Sequence, residues 1–415
     1  SRYGPVTLRR GLMSSLNVVA ARVLMQHVGI DVAADYLLQL GADEDQINRD
    51  GSGLALGTSG LTPIQMAAAY GAIASGGVYR EPLSFTKVLD SDGNVILDAD
   101  AVRDTHRVFR ESTAYLLVDM MTDAVKSGTG TKAAIDGMTV AGKTGTNSDY
   151  ASVYFAGMTP YYAATVWIGH DYPANKLKGG ADGGAYAAPL WQAFMEPIHE
   201  SLENKSIIDA DPTSLGLVKC TVCSVSGLLA TDACREDEDH KTVTDWFVSS
   251  SRPTQYCDMH VSVSVCSESG ALATQFCPAE QTQTESRILV RPDSQFYAFE
   301  DEYLFKGLPT AVRTTLSIDE YLASLPTCTL HSEGSLGVFE LKARAEQLIA
   351  EVQSFLGSAT SLEETLRATL LDDISRLQSA LTGYDYAQIE PLVNALTSDF
   401  ERIKGGVVET PTPIG

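Results

Sequence analysis

The stretch Thr139-Val140-Ala141-Gly142-Lys143-Thr144-Gly145-Thr146 puts one lysine, two hydroxyls and a glycine on a single short edge of predicted strand. Each residue has a chemical use there. Lys143 brings positive charge to a carboxylate, Thr144 and Thr146 bring donors, and Gly145 lets a ligand backbone approach closely. The backbone N–H near Thr146 is suited to an oxyanion hole. An acyl substrate is the ligand class that fits such an edge. Lys-Thr-Gly alone also occurs by chance in strand-end turns, so the flanking sequence decides between the two.

Upstream, Ser14-Ser15-Leu16-Asn17 lies between two predicted helices, one capped by Thr7 and ending near Met13, the other over 18–28. A hydroxyl and an amide there can face a cleft, and Ser15 can also serve as an N-cap. Thr62-Pro63-Ile64-Gln65 combines an N-cap, a proline at the first helical position and a capping-box Gln, which opens a helix over 66–75. Ser91-Asp92-Gly93-Asn94 turns a hairpin between 85–89 and 95–97. A helix over 112–126 precedes strand-like runs over 138–141, 152–158 and 163–168, and a helix over 190–202 closes the region. The fold class that follows is α+β, an antiparallel sheet flanked by helices.

On these residues the region resembles the penicillin-binding transpeptidases and serine β-lactamases, whose motifs are Ser-x-x-Lys, Ser-x-Asn and Lys-Thr-Gly. Ser15-Leu16-Asn17 matches the second and Lys143-Thr144-Gly145 the third. The context is more specific. Gly4-Pro5-Val6-Thr7-Leu8-Arg9, the 61–70 segment, Gly128-Thr129-Gly130-Thr131-Lys132-Ala133 and Trp167-Ile168-Gly169 look like the transpeptidase domain of class A penicillin-binding proteins. The resemblance implies a five-stranded, mainly antiparallel sheet. It also implies D,D-transpeptidation: a serine attacks the penultimate D-Ala carbonyl of a peptidoglycan stem peptide, D-Ala leaves, and a neighbouring amine takes the acyl group. β-Lactams are trapped at the same step. Ser15, Asn17 and Lys143 are the implied catalytic residues, and Thr144, Gly145 and Thr146 the implied substrate-binding ones.

One motif is out of place. The only Ser-x-x-Lys, Ser84-Phe85-Thr86-Lys87, follows Ser-x-Asn and lies in an extended hairpin rather than at a helix start. The expectation is therefore a C-terminal part of a longer bifunctional synthase, with nucleophile, glycosyltransferase domain and membrane anchor upstream. Such a chain works on the outer face of the bacterial cytoplasmic membrane, with stem peptides, β-lactams and wall-synthesis proteins as partners and with no cofactor or metal. The alternatives are a wall-binding or scaffolding relative that has lost acylation and, less favoured, a β-lactamase.

The chain beyond 204 differs in composition. All seven cysteines fall in 205–330, and Cys223-Ser-Val-Ser-Gly-Leu-Leu-Ala-Thr-Asp-Ala-Cys234 recurs as Cys266-Ser-Glu-Ser-Gly-Ala-Leu-Ala-Thr-Gln-Phe-Cys277. These repeats look like the extension of class A proteins from clostridia-like bacteria. In an extracellular setting they suggest disulfides Cys223–Cys234 and Cys266–Cys277, with Cys220 left for Cys257 and Cys328 unpaired. A zinc site from Cys220, Cys223, Cys234, Cys257 and His260 is the second reading, and free thiols the third. The acidic run before His240 reads as a solvated loop, with a Ca²⁺ site the lesser alternative.

Apolar spacing then predicts a three-helix bundle over 331–404, with a capping box at Ser361-Leu-Glu-Glu364, a stop at Gly383, an opening at Asp385 and a last helix kinked, or its start delayed, by Pro391. Residues 405–415 read as a disordered tail. The expected domains are 1–204, 205–330, 331–404 and that tail. Charge supports one exclusion. With 53 acidic against 30 basic residues and a formal net charge of −23, the chain lacks the cationic field that grips a phosphate backbone. Residues 201–330 carry 19 acidic against 9 basic, so the excess is densest outside the proposed catalytic region.

Overall fold

The computed structural model describes residues 4–147, 149–172, 174–240, 242–359, 362–382 and 386–407. It divides into two compact units, Ser1–Met259 with Phe299–Pro309, and His260–Ala298 with Thr310–Gly415.

The first unit is built on an antiparallel sheet of Ala141–Thr146, Ser152–Met158 and Ala163–Gly169, in that spatial order. Side chains alternate between its faces. Val153 and Phe155 join Trp191 and Met195 of the Ala187–Met195 helix in one core, while Ala141 and Met158 join Ile73, Ala114, Val118 and Met121 in another. The second core is supplied by the helices Pro63–Ala74 and Glu111–Lys126, so helices cover both faces. Trp191 is fully buried, packs edge-on to Phe155 at 5.2 Å and donates its indole N–H to the Ala164 carbonyl at 2.9 Å. Truncating such a residue costs about 3–5 kcal/mol.

The sheet has three strands among the described residues, where five were expected. Val78–Arg80 pairs with Thr105–Arg107, and Lys87–Leu89 with Val95–Asp98, as separate two-stranded ladders. The second ladder is too short and too exposed on both faces to enter a buried sheet. The capping box at Thr62 and Gln65 forms as read, with the Thr62 hydroxyl accepting from Gln65 N at 3.3 Å and Gln65 Oε1 accepting from Thr62 N at 2.9 Å.

The same unit continues into an antiparallel pair, Leu217–Val222 with Val243–Val248. Arg9, on the Leu8–Met13 helix, ties that pair to the transpeptidase-like part. Its guanidinium donates to Asp123 at 2.6 Å and to Asp119 and Asp245. Three carboxylates around one partly buried cation raise its pKa, the Asp245 hydrogen bond most. The acidic run is not simply solvated. Asp237 is buried and accepts from the backbone N–H groups of Asp239 and His240 at 2.9 Å each.

In the second unit His260–Cys266 pairs antiparallel with Thr282–Val290, and Ala311–Arg313 adds parallel to the latter. Val261, Leu289 and Tyr321 fill its small core. The helices Glu333–Ser358, Glu364–Thr382 and Tyr386–Val407 share a separate apolar core that includes Val352, Leu370, Leu377, Ile389, Val393, Leu396 and Phe400. Pro391 neither delays nor breaks the last helix but sits inside it. As the sixth residue it lies past the first turn and removes one helical N–H, and the burial of Ile389, Leu392 and Val393 in the bundle core offsets that loss. The expected capping residue Ser361, the stop at Gly383, the opening at Asp385 and residues 408–415 lie outside the described residues, whereas 405–407 continue the helix.

Candidate active site at the Lys143 strand edge

Lys143, Thr144, Gly145 and Thr146 occupy an edge of the three-stranded sheet, because among the described residues Ala141–Thr146 pairs only with Ser152–Met158. Lys143 Nζ donates to Ser15 Oγ at 2.8 Å and to its neighbour's carbonyl, Thr144 O, at 2.9 Å. Burial lowers the Lys143 ammonium from its ordinary 10.5 to about 8. Thr144 is buried and shares a 2.7 Å hydrogen bond with the Thr129 hydroxyl. Ser15, Lys143, Thr144 and Thr129 thus form one connected polar chain.

Ser15 reaches this chain through unusual backbone. Its φ of +53° lies in the left-handed region, which a non-glycine residue adopts at a cost of about 1–3 kcal/mol. The cost is met by the turn around it, where Ser15 N donates to Leu12 O at 3.1 Å and Leu16 N to Gly11 O at 2.8 Å. Gly11 is required because a Cβ there would stand 2.7 Å from Val19 Cγ1, and Val19 lies on the next helix, Asn17–Val23. The N-cap of that helix is Leu16, not Ser15, which leaves the Ser15 hydroxyl to Lys143. Asn17 opens the helix on an exposed surface, and its side chain has no hydrogen-bond partner among the described residues. It does not join the chain.

Thr146 is held from a direction that motif reading missed. Gly183 N donates to Thr146 Oγ1 at 3.0 Å, and a Cβ on Gly183 would lie 2.5 Å from Tyr154 O and 2.6 Å from Gly145 O. Bare backbone therefore packs against the strand at its binding edge. The glycine-rich run Gly179-Gly180-Ala181-Asp182-Gly183-Gly184 was the available signal. Thr129 was quoted only as context, and its contact with Thr144 spans 15 residues of sequence.

The Ser-x-x-Lys at Ser84 to Lys87 stays apart. Lys87 pairs with Asp98 across the exposed hairpin at 3.2 Å. Ser127 caps its own helix, donating to Asp123 O at 3.4 Å. His199 is structural, bridging the Thr159 hydroxyl at 2.8 Å and Met195 O at 2.7 Å.

None of the seven cysteines is in a disulfide, contrary to the expected pairs Cys223–Cys234, Cys266–Cys277 and Cys220–Cys257. The physical reason is that the thiols gather in threes. Cys223, Cys234 and Cys257 place their Sγ atoms within 4.8 Å of one another, as do Cys266, Cys277 and Cys328, and Cys220 belongs to neither group.

Comparison with known proteins agrees with this geometry. Residues 1–196 match the penicillin-binding protein transpeptidase domain, and residues 214–262 match the C-terminal domain of penicillin-binding protein 1A. Penicillin-binding protein 1A of Clostridium perfringens is 35% identical over 272 residues, covering 63% of this chain and 32% of the relative. That of Clostridium botulinum is 36% identical over 298 residues, covering 70% and 34%. The chain thus spans about a third of the length of the curated relatives it matches. The crystal structure of penicillin-binding protein 1A from Haemophilus influenzae superposes with a TM-score of 0.52 at 24% identity, covering 61% of this chain and 41% of that one, a likeness of fold. With Ser-x-Asn and Lys-Thr-Gly joined by one hydrogen bond on the edge of that fold, residues 1–196 carry a penicillin-binding protein transpeptidase domain.

Proposed function

We propose that residues 1–204 supply the Ser-x-Asn and Lys-Thr-Gly walls of a serine D,D-transpeptidase that cross-links peptidoglycan stem peptides and is acylated by β-lactams. The observation that carries this reading is the 2.8 Å bond from Lys143 Nζ to Ser15 Oγ at an open strand edge. In this scheme the acylated serine comes from outside the 415 residues, because the one Ser-x-x-Lys in the sequence has its lysine paired with Asp98 on an exposed hairpin. Ser15 relays a proton to the leaving amine, Lys143 orients the Ser15 hydroxyl, and Lys143 with Thr144 and Thr146 attracts the substrate's terminal carboxylate. Asn17 reaches a substrate amide from the exposed start of its helix. The finer assignments go with this reading: a longer bifunctional synthase, anchored in the cytoplasmic membrane and facing the wall. No helix among the described residues is long and apolar enough to cross a membrane.

Fluorescent penicillin tests the proposal. The 415-residue chain alone should give no label that survives denaturation, whereas a longer form with an upstream Ser-x-x-Lys should label, and Lys143→Ala should slow that labelling by about 100-fold or more. Label mapped to Ser84 in the short chain would place the nucleophile on the hairpin. A longer form that never labels would leave a wall-binding scaffold.

A further inference from the structure

The second unit contains four metal-ligating groups that the transpeptidase chemistry leaves unused. Cys266 and Cys277 are the ends of the second repeat, and Cys328 and His331 come from 51 and 54 residues further on. All four ligand atoms lie within 4.8 Å of one another. His331 Nδ1 is 3.5 Å from Cys266 Sγ and 3.4 Å from Cys328 Sγ. A tetrahedral zinc ion with Zn–S of about 2.3 Å and Zn–N of about 2.0–2.1 Å sets its S···N edges at about 3.6 Å. A disulfide, at about 2.05 Å, would use two of these thiols and strand the third beside an imidazole.

The surroundings are those of a ligand set. Cys266, Cys328 and His331 are buried, and the outer ring nitrogen of His331, Nε2, lies 3.3 Å from Glu268 Oε2. A carboxylate there fixes the proton on Nε2, so that the Nδ1 lone pair faces the two sulfurs. Cys277 Sγ accepts from Thr274 N at 3.3 Å. The backbone brings the third thiol in by hydrogen bonds, Leu272 N to Pro326 O at 2.9 Å and Cys328 N to Leu272 O at 2.7 Å.

The same scaffold is built independently in the first unit. Gly227 N donates to Cys223 O at 2.9 Å as Gly270 N does to Cys266 O at 2.8 Å, and Cys257 N donates to Leu229 O at 2.8 Å as Cys328 N does to Leu272 O. Cys257 is therefore the counterpart of Cys328, and in sequence each is followed by His at the third position, Cys257-Asp-Met-His260 and Cys328-Thr-Leu-His331. Two copies that each gather three thiols, with a histidine three residues after the third thiol in sequence, argue for a shared use of that pattern.

We propose that Cys266, Cys277, Cys328 and His331 form a structural zinc site of the Cys3His type. Binding exchanges thiol protons for the metal. Three Cys S–H groups lose their protons to solvent, three Zn–S bonds and one Zn–N bond form, and no electrons are transferred. A closed set of four protein ligands leaves no open position, so the ion is structural rather than catalytic. It replaces part of the apolar core that the short strands of this unit cannot supply.

Elemental analysis of the full 415-residue chain, purified under reducing conditions with zinc in the medium, is the test. The parent should contain zinc, and Cys328→Ser and His331→Ala should each lose one equivalent relative to it, so zinc bound elsewhere cancels. His331→Cys should keep the full complement. After cobalt substitution the parent should show thiolate charge-transfer and tetrahedral d–d bands, shifted in His331→Cys. A parent free of zinc with a Cys266–Cys277 disulfide, a parent holding iron, or variants with unchanged zinc would overturn the site. If Cys328→Ser does not fold, the cobalt spectra decide, since bands identical in the parent and His331→Cys would exclude His331 as a ligand.

Discussion

Gly183→Ala tests the packing that holds the binding edge while leaving the Ser15 and Lys143 side chains unaltered. The added Cβ would meet Tyr154 O at 2.5 Å, Gly145 O at 2.6 Å and Gly145 N at 3.2 Å, all of them backbone atoms that no rotamer change can remove. To reach an ordinary contact the loop must retreat by roughly 0.9 Å, which also stretches the 3.0 Å bond from Gly183 N to Thr146 Oγ1. Overpacking of this kind costs about 1–3 kcal/mol. In a unit of this size that corresponds to a fall in Tm of roughly 2–4 °C per kcal/mol. Gly179→Ala is the matched control, since a Cβ there meets nothing within 4 Å. It should be neutral or stabilise by up to about 1 kcal/mol through the unfolded chain. Differential scanning calorimetry on both variants gives the comparison, and equal Tm values would refute the claim that this loop is seated on the Lys143 strand.

Two further outcomes follow from the charges. Lys143 has its pKa lowered to about 8 in the fold against 10.5 when unfolded, so holding it charged costs stability below pH 8, and that cost fades between pH 8 and 10.5. Lys143→Met should therefore be the more stable protein near pH 7, by a ceiling of about 3 kcal/mol less the lost Ser15 and Thr144 bonds, with the gain vanishing toward pH 10.5. A pH-independent difference in Tm would count against a desolvated lysine. Arg9→Met leaves Asp119, Asp123 and Asp245 facing one another without their cation. The loss should be about 3 kcal/mol, the low end for a buried pair because the carboxylates keep partial contact with water. Urea titration showing a loss under about 0.5 kcal/mol would mean that the clamp is idle.

Legibility in the sequence followed the range of the interactions. Thr62-Pro63-Ile64-Gln65 could be read as a helix start because its bonds close within four residues. The hairpin around Gly93 and the bundle helices were legible for the same reason, as periodicity and turn chemistry are local. The candidate site was half legible. Lys143-Thr-Gly and Ser15-x-Asn stood out as motifs, but the bond that joins them spans 128 residues and needs a serine at positive φ. The two further strands that the resemblance implied do not join the sheet among the described residues, because local sequence does not say which strands share a sheet.

The cysteines show the division most clearly. The sequence by itself determined that two twelve-residue copies exist, that seven thiols lie beyond the transpeptidase region and that acidic residues outnumber basic ones by 53 to 30. It also determined the chemistry of the Lys143 edge, since residue types alone set charge and hydrogen-bonding capacity. Only the tertiary structure decided which groups meet. Cys328 and His331 are brought to Cys266 and Cys277, Thr129 to Thr144, and Gly183 to Thr146, by backbone hydrogen bonds and sheet packing formed between distant segments. Such contacts depend on where the chain returns after a long excursion, which no local spacing encodes.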